Sequence, residues 1–422
     1  MTKTLTPDQV TAVDRLYGYD HTILVAGTGV GKTVIALTAI KELLGGGHIR
    51  KVIVAAPAKV IERMTWPNEC AKWEHLRGLR IVQLTGDSTE RTKRMMNSNG
   101  ETHILMVSLN NLDWLLNQAH ECDGIIIDEL SKAAGKQTAG LRSKKKAGQL
   151  AWRVGMTATP VSQDYQKLYG MCRIIDGGKC LGTNKQKYLN EYFYSDYLGF
   201  NLTLKNAAGA QIMGKVRSLV HLIADNKAQV LPPLSEGVVR FDMPAETREV
   251  YNEMKKHMVA GDVEAANEAV KSGKLRQIAS GFMYRTEDDH SAKILDNARY
   301  DAMRAWVQTL GGRPGLIFYE FVQQAHWGDI SKPANITFAQ INSMSHGVDG
   351  LQHQFADVLF IQPIWSRDAA EQAVGRVWRT GQTQPVNVTT LVCNNTLDDL
   401  VVERVEDRGR WMKKFTEHLK GK

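Results

Sequence analysis

The chain reads as an α/β protein built on parallel sheets. Three observations predict this. Short apolar, β-branched runs recur along the sequence, helical stretches separate them, and a glycine-rich turn joins the first run to its helix. At 422 residues there is room for two or three domains with sizeable cores. Apolar content of 43% and charged content of 23% are ordinary for a soluble globular protein. The formal net charge of +8 favours a polyanionic partner. Five cysteines are scattered without a Cys-x-x-Cys pair, which argues against a zinc site or a disulfide framework and for reduced thiols in a cytosolic protein. The N-terminus lacks an apolar signal region, and no stretch approaches the ~20 apolar residues of a membrane span. A cytoplasmic protein is expected, with no membrane partner.

Thr6 and Pro7 open the first helix, Thr6 as N-cap and Pro7 in the first turn. Ile23-Leu24-Val25 then forms a strand, and Val34–Leu44 a helix. Between them lies Ala26-Gly27-Thr28-Gly29-Val30-Gly31-Lys32-Thr33, a P-loop in the context that motif needs, with Ala26 where the strict pattern has glycine. Glycines at 27, 29 and 31 let successive backbone N–H groups curl around an anionic phosphate, and the helix N-terminus adds its dipole. Lys32 can reach the outer phosphates of ATP, and the Thr33 hydroxyl can coordinate Mg²⁺.

Val52–Ala55, Arg80–Leu84, His103–Val107 and Gly124–Ile127 are the next strands, alternating with helical stretches. The last delivers Asp128 and Glu129 at its carboxyl end, where an open α/β sheet presents groups to a ligand. Asp128 is suited to hold Mg²⁺, directly or through water, and Glu129 to orient and deprotonate an attacking water. The basic run Lys132–Lys146 reads as a loop, either a solvated face or a contact to backbone phosphates. Trp152–Met156 is a further strand ending in Thr157-Ala158-Thr159-Pro160, whose hydroxyls can sense the γ-phosphate and transmit that to nucleic acid.

This ordered set resembles the first motor lobe of superfamily-two helicases, most closely the Swi/Snf-type DNA translocases. The resemblance implies two tandem RecA-like parallel-sheet lobes with helical protrusions, and a DNA-stimulated ATPase with ATP and Mg²⁺ between the lobes. Leu5–Gln9 resembles the family's adenine-side glutamine motif, which makes Gln9 the adenine reader. Pro57 with Trp66, Glu69 and Trp73 resembles the segment after the second strand, and Val107–Leu112 the next nucleic-acid-facing motif. Val154–Pro160 is similar to the coupling motif, so Pro57, Ser108, Thr157 and Thr159 are the nucleic-acid coupling residues. Ser131 stands where the family's acidic motif has histidine.

The resemblance continues in the second half. Residues 163–230 correspond to a helical protrusion and linker, with the lobe boundary at Pro232-Pro233, giving lobes 1–232 and 233–422. Val238–Met243 alternates like a strand, and Glu246–Ala260 and Val263–Val270 read as helices of a smaller protrusion over 245–290. Gly315–Tyr319, Val358–Ile361 and Thr389–Val392 are strands, and Leu397–Leu419 a terminal helix. Gly347 and Asp349 lie in a Gly-x-Asp turn that can accept ribose hydroxyls or orient an arginine. Gln372–Gln382 resembles the arginine-finger motif: Arg376 and Arg379, three apart on one helix face, reach the γ-phosphate, and Gln372 contacts nucleotide or the opposite lobe. The implied function is ATP-driven translocation on double-stranded or branched DNA, by a monomer with room for a protein partner. The chain resembles compact bacterial or bacteriophage members, which would place it in the host cytoplasm if viral. A strand-separating DNA or RNA helicase, a nucleotide-switched binding module and the motor subunit of a restriction or repair complex are the alternatives.

Overall fold

The computed structural model describes residues 4–27, 29–98, 101–118, 121–134, 150–158, 165–195, 202–223, 231–260, 263–264, 268–285, 291–330, 334–341, 350–379 and 381–403. Two compact units divide the chain, Met1–Asp225 and Asn226–Gly409.

In the first unit the strands are β1 (His21–Val25), β2 (Val52–Ala56), β3 (Ile81–Gln83), β4 (Ile104–Ser108), β5 (Gly124–Asp128) and β6 (Trp152–Thr157). A short hairpin follows, β7 (Phe193–Ser195) with β8 (Leu202–Leu204), and then β9 (Val220–Leu222). Seven of these form one sheet in the order β3-β4-β2-β5-β6-β1-β9, parallel at every pairing. Period-2 alternation sends each strand's side chains to two separate cores. Ile23, Val25, Ile53, Ala55, Ile125 and Ile127 pack with the helices Leu112–Gln118, Tyr165–Ile175 and Ala208–Val216. Leu24, Val52, Val54, Ile126, Val154 and Met156 pack with the helices Pro7–Gly18 and Lys32–Gly45. Burial on both faces explains why these strands read as continuous apolar runs rather than alternating ones.

The segment expected as helical protrusion and linker also supplies β9, which pairs with β1, the strand that carries the P-loop. Three residues after a helix carry too little pattern to announce a strand.

The second unit has a five-stranded sheet in the order β10-β18-β17-β15-β16. Its strands are β10 (Leu234–Phe241), β15 (Gly315–Tyr319), β16 (Ile336–Gln340), β17 (Asp357–Phe360) and β18 (Val386–Cys393), again all parallel. Between β10 and β15 the chain forms helix Ala245–His257, a two-residue hairpin of β11 (Val259–Ala260) and β12 (Val263–Glu264), helix Glu268–Ala279, and a second hairpin of β13 (Phe282–Tyr284) and β14 (Ala292–Ile294). The helix expected over Val263–Val270 therefore begins only at Glu268, because Val263 and Glu264 pair back onto Val259 and Ala260.

One fully buried ion pair braces this unit. The Arg299 guanidinium donates to the carbonyls of Ala279 (3.1 Å), Ile361 (2.7 Å) and Leu391 (3.3 Å) and to the Asp398 carboxylate, which also accepts the Cys393 N–H at 3.0 Å. One charged fork thus ties helix Ala298–Thr309 to the ends of two strands. Asp398→Ala leaves the guanidinium buried without its counterion, and should lower the unfolding free energy by about 3–5 kcal/mol. Denaturant titration of the folded chain checks this, and a loss below about 1 kcal/mol would show that the carbonyls alone hold the arginine.

Candidate nucleotide and nucleic-acid site

Pro57, Ser108, Asp128 and Thr157 lie at or just past the carboxyl ends of neighbouring strands, and the P-loop leaves the end of one more. Registers pair Val25 with Thr157, Asp128 with Met156, and Ala56 with Ser108, so β1, β6, β5, β2 and β4 end nearly level. Carboxyl ends of parallel strands are where such sheets bind ligands.

The P-loop springs from the end of β1. The N–H of Ala26 donates to the Thr157 carbonyl at 3.1 Å, fixing the loop's root to β6. Gly29 and Gly31 take φ of +81° and +92°, and Gly31 caps the helix Lys32–Gly45. The left-handed backbone favours glycine at 31, and a Cβ there would sit 2.5 Å from Nε2 of Gln9 and push that side chain aside. Lys32 curls back over the loop, its ammonium donating to the carbonyls of Ala26 (2.8 Å) and Gly27 (3.0 Å). Gln9 closes a capping box with Thr6 and donates from Nε2 to the Val30 carbonyl at 2.8 Å. The residue expected to read adenine thus also ties the first helix to the P-loop.

Asp128 ends β5. Its Oδ1 accepts the Glu129 N–H at 3.0 Å, and its Oδ2 accepts the indole N–H of Trp66 at 3.3 Å. Burial pushes the Asp128 carboxyl above its ordinary range, while the Lys32 ammonium and those two donors act in the opposite direction. Lys32 is thus near enough to act on the Asp128 carboxyl, so the P-loop adjoins the end of β5. Glu129 adopts φ +56°, left-handed backbone that non-glycine residues rarely take, and caps the short helix Leu130–Ala133. Strain at a residue with a proposed chemical role is the pattern of a functional site. Thr33 and Asp128 offer hydroxyl and carboxylate oxygens, the donor chemistry a small hard cation such as Mg²⁺ selects.

Ser108 closes β4, and its Oγ accepts from Asn111 at 3.0 Å. Pro57 follows β2 and starts the helix Ala58–Glu62. Thr157 is fully buried at the end of β6. Thr28, Thr159, Gly347 and Asp349 lie outside the described residues, as do Lys136–Lys146 of the basic run.

In the second unit Gln372 and Arg376 lie on the helix Arg367–Val377, Gln372 nearly buried. Arg379 departs from the expectation of a shared helix face, because the helix ends at Val377. Two side chains hold the chain where it ends. The indole N–H of Trp378 donates to the Pro232 carbonyl at 2.7 Å, and the buried Gln382 amide donates to the Val377 carbonyl at 3.3 Å and the Phe355 carbonyl at 2.9 Å. The Gln382 N–H returns to the Arg379 carbonyl at 3.0 Å, and Gly381 turns at φ +98°. Arg379 therefore opens a tight turn that Gln382 locks. Trp66 and Gln382 make contacts here that sequence reasoning missed. Trp66 stood in a family-like segment and Gln382 in the arginine motif, yet neither pattern states a hydrogen-bond partner.

A family model described as the SNF2-related domain matches residues 9–293. Protein p41 of Acyrthosiphon pisum secondary endosymbiont phage 1 is 27% identical over 457 residues, spanning 95% of this chain and 96% of its own length. The DNA excision repair protein ERCC-6-like of Mus musculus is 29% identical over 171 residues, 39% of this chain and 13% of the mouse protein. The solved Sulfolobus solfataricus SWI2/SNF2 ATPase core in complex with dsDNA aligns over 96% of this chain and 91% of that one, at 18% identity and a TM-score of 0.47. Among the described residues no helix is long and apolar enough to cross a membrane.

Proposed function

The chain belongs to the SNF2-related family, and from that premise we propose that it is an ATP-driven motor that translocates on double-stranded DNA, remodelling forks or branches or displacing bound protein. One observation carries the reading: the P-loop, the Asp128-Glu129 pair and Thr157 converge at the carboxyl ends of three adjacent strands. That is the constellation phosphoryl transfer to water needs.

In this reading the P-loop amides and Lys32 bind the phosphates, and Thr33 and Asp128 hold Mg²⁺. Bound magnesium supplies charge neutralisation at the phosphate oxygens. Glu129 orients the attacking water and takes its proton. Gln9 reads adenine by exchanging its Val30 contact for the base. Gly347 and Asp349 serve the ribose or orient an arginine, and Gln372 meets the nucleotide. Arg376 and Arg379 stabilise the transferring phosphoryl group when the second unit closes on it. Pro57, Ser108, Thr157 and Thr159 couple that step to the nucleic acid. Translocation follows from one such cycle per ATP, by a chain that acts as a monomer in the cytoplasm.

The net charge of +8 supports a polyanionic track, and a relative named for DNA excision repair supports DNA. ATPase rates measured with duplex, branched, single-stranded DNA and RNA side by side test the proposal. Duplex or branched DNA should stimulate most, with affinity falling steeply in salt, and a triplex-forming third strand should be displaced during hydrolysis. Stimulation by single strands alone, with robust unwinding of a tailed duplex, would replace translocation with strand separation.

A further inference from the structure

Trp66 is the largest fully buried side chain in the protein among the described residues, and it lies on the helix Thr65–Ala71 rather than on a strand of the site. Its ring belongs to the core that contains Val54, Ala56, Met106 and Ile126. A buried indole needs a partner for its N–H, and any backbone carbonyl would serve. Here the partner is Oδ2 of Asp128, 3.3 Å away. The chain bends unfavourably to begin this helix: Met64, its N-cap, sits at φ +54°, in left-handed backbone that a methionine rarely occupies. With Oδ1 held by the Glu129 N–H, each oxygen of the carboxylate has one fixed donor, and rotation about its Cβ–Cγ bond is restrained.

We propose that Trp66 is a positioning residue of the metal–nucleotide site, its indole N–H clamping Asp128 so that the remaining lone pairs face the magnesium and its waters. The inference rests on the reading of Asp128 as the Mg²⁺-holding carboxylate. A donor behind a ligating carboxylate acts on metal affinity, and removing such a donor typically weakens it by 10–100-fold. A side chain that only fills the core would affect folding and leave the metal dependence untouched.

The test measures binding of ATP to the full chain by calorimetry, in EDTA and across a series of free Mg²⁺ concentrations. Trp66→Phe keeps an aromatic ring and deletes the N–H. It should leave ATP affinity in EDTA within about twofold while raising the half-saturating Mg²⁺ concentration by roughly tenfold. In an Asp128→Asn background the same substitution should add less than about twofold, because the clamped charge is already gone. Should Trp66→Phe fail to fold, replacement of Trp66 by benzothienylalanine deletes the N–H at nearly constant shape and gives the same readout. An unchanged Mg²⁺ midpoint in a folded variant overturns the proposal, and so does an equal loss of affinity with and without Mg²⁺. Absence of any nucleotide binding by the unaltered chain would instead overturn the Mg²⁺–ATP reading on which it rests.

Discussion

Lys32→Ala should bring ATP hydrolysis at saturating DNA down by roughly three orders of magnitude or more, to background. The loss has two parts. The phosphates lose their fixed counterion, which weakens binding, and the charge that builds on the transferring group loses its nearest cation. The fold should survive. Lys32 bonds the Ala26 and Gly27 carbonyls, and releasing two such contacts in a half-exposed loop removes about 1 kcal/mol each. Near-normal turnover in a folded Lys32→Ala protein would remove the P-loop from the mechanism and the motor with it.

Glu129→Gln should separate binding from chemistry. The amide keeps the shape but cannot take a proton, so ATP should bind with near-normal affinity while turnover falls by about 10²–10⁴-fold. Loss of ATP affinity alongside turnover would mark Glu129 as structural. The left-handed backbone at this position adds a second readout. Glutamine inherits the strain of glutamate, whereas Glu129→Gly relieves it and should stabilise the protein by about 1 kcal/mol. A stabilised glycine variant would show that the protein keeps this strained backbone at a cost in stability.

What was legible in the sequence was chemistry carried by neighbours along the chain. Thr6 announces the cap of the first helix, and Gly29 and Gly31 of the P-loop sit where φ is positive. Asp128 and Glu129 follow an apolar run that is a central strand. Less legible was anything set by contacts distant in sequence. The Trp66–Asp128 bond spans 62 positions, and no local pattern encodes it. Arg379 left its helix because Trp378 and Gln382 find partners at Pro232 and Phe355, residues far upstream. The helix expected over Val263–Val270 gave way to a two-residue pairing too short for any periodicity to reveal.

The strand order also governs how the molecule is made. β1, whose end carries the P-loop, has β6 and β9 as its neighbours, and both are synthesised much later. Pairings so distant along the chain must close long loops before any contact rewards them, so they form slowly. In the second unit β10, the first strand to emerge, waits for β18, the last. On the ribosome, then, β1 stays unpaired until β6 appears, and β10 until β18 does. A nascent chain halted before Thr157 would display the phosphate-binding sequence with no sheet to anchor it, and exposed apolar strands in its place would make it a target for chaperones.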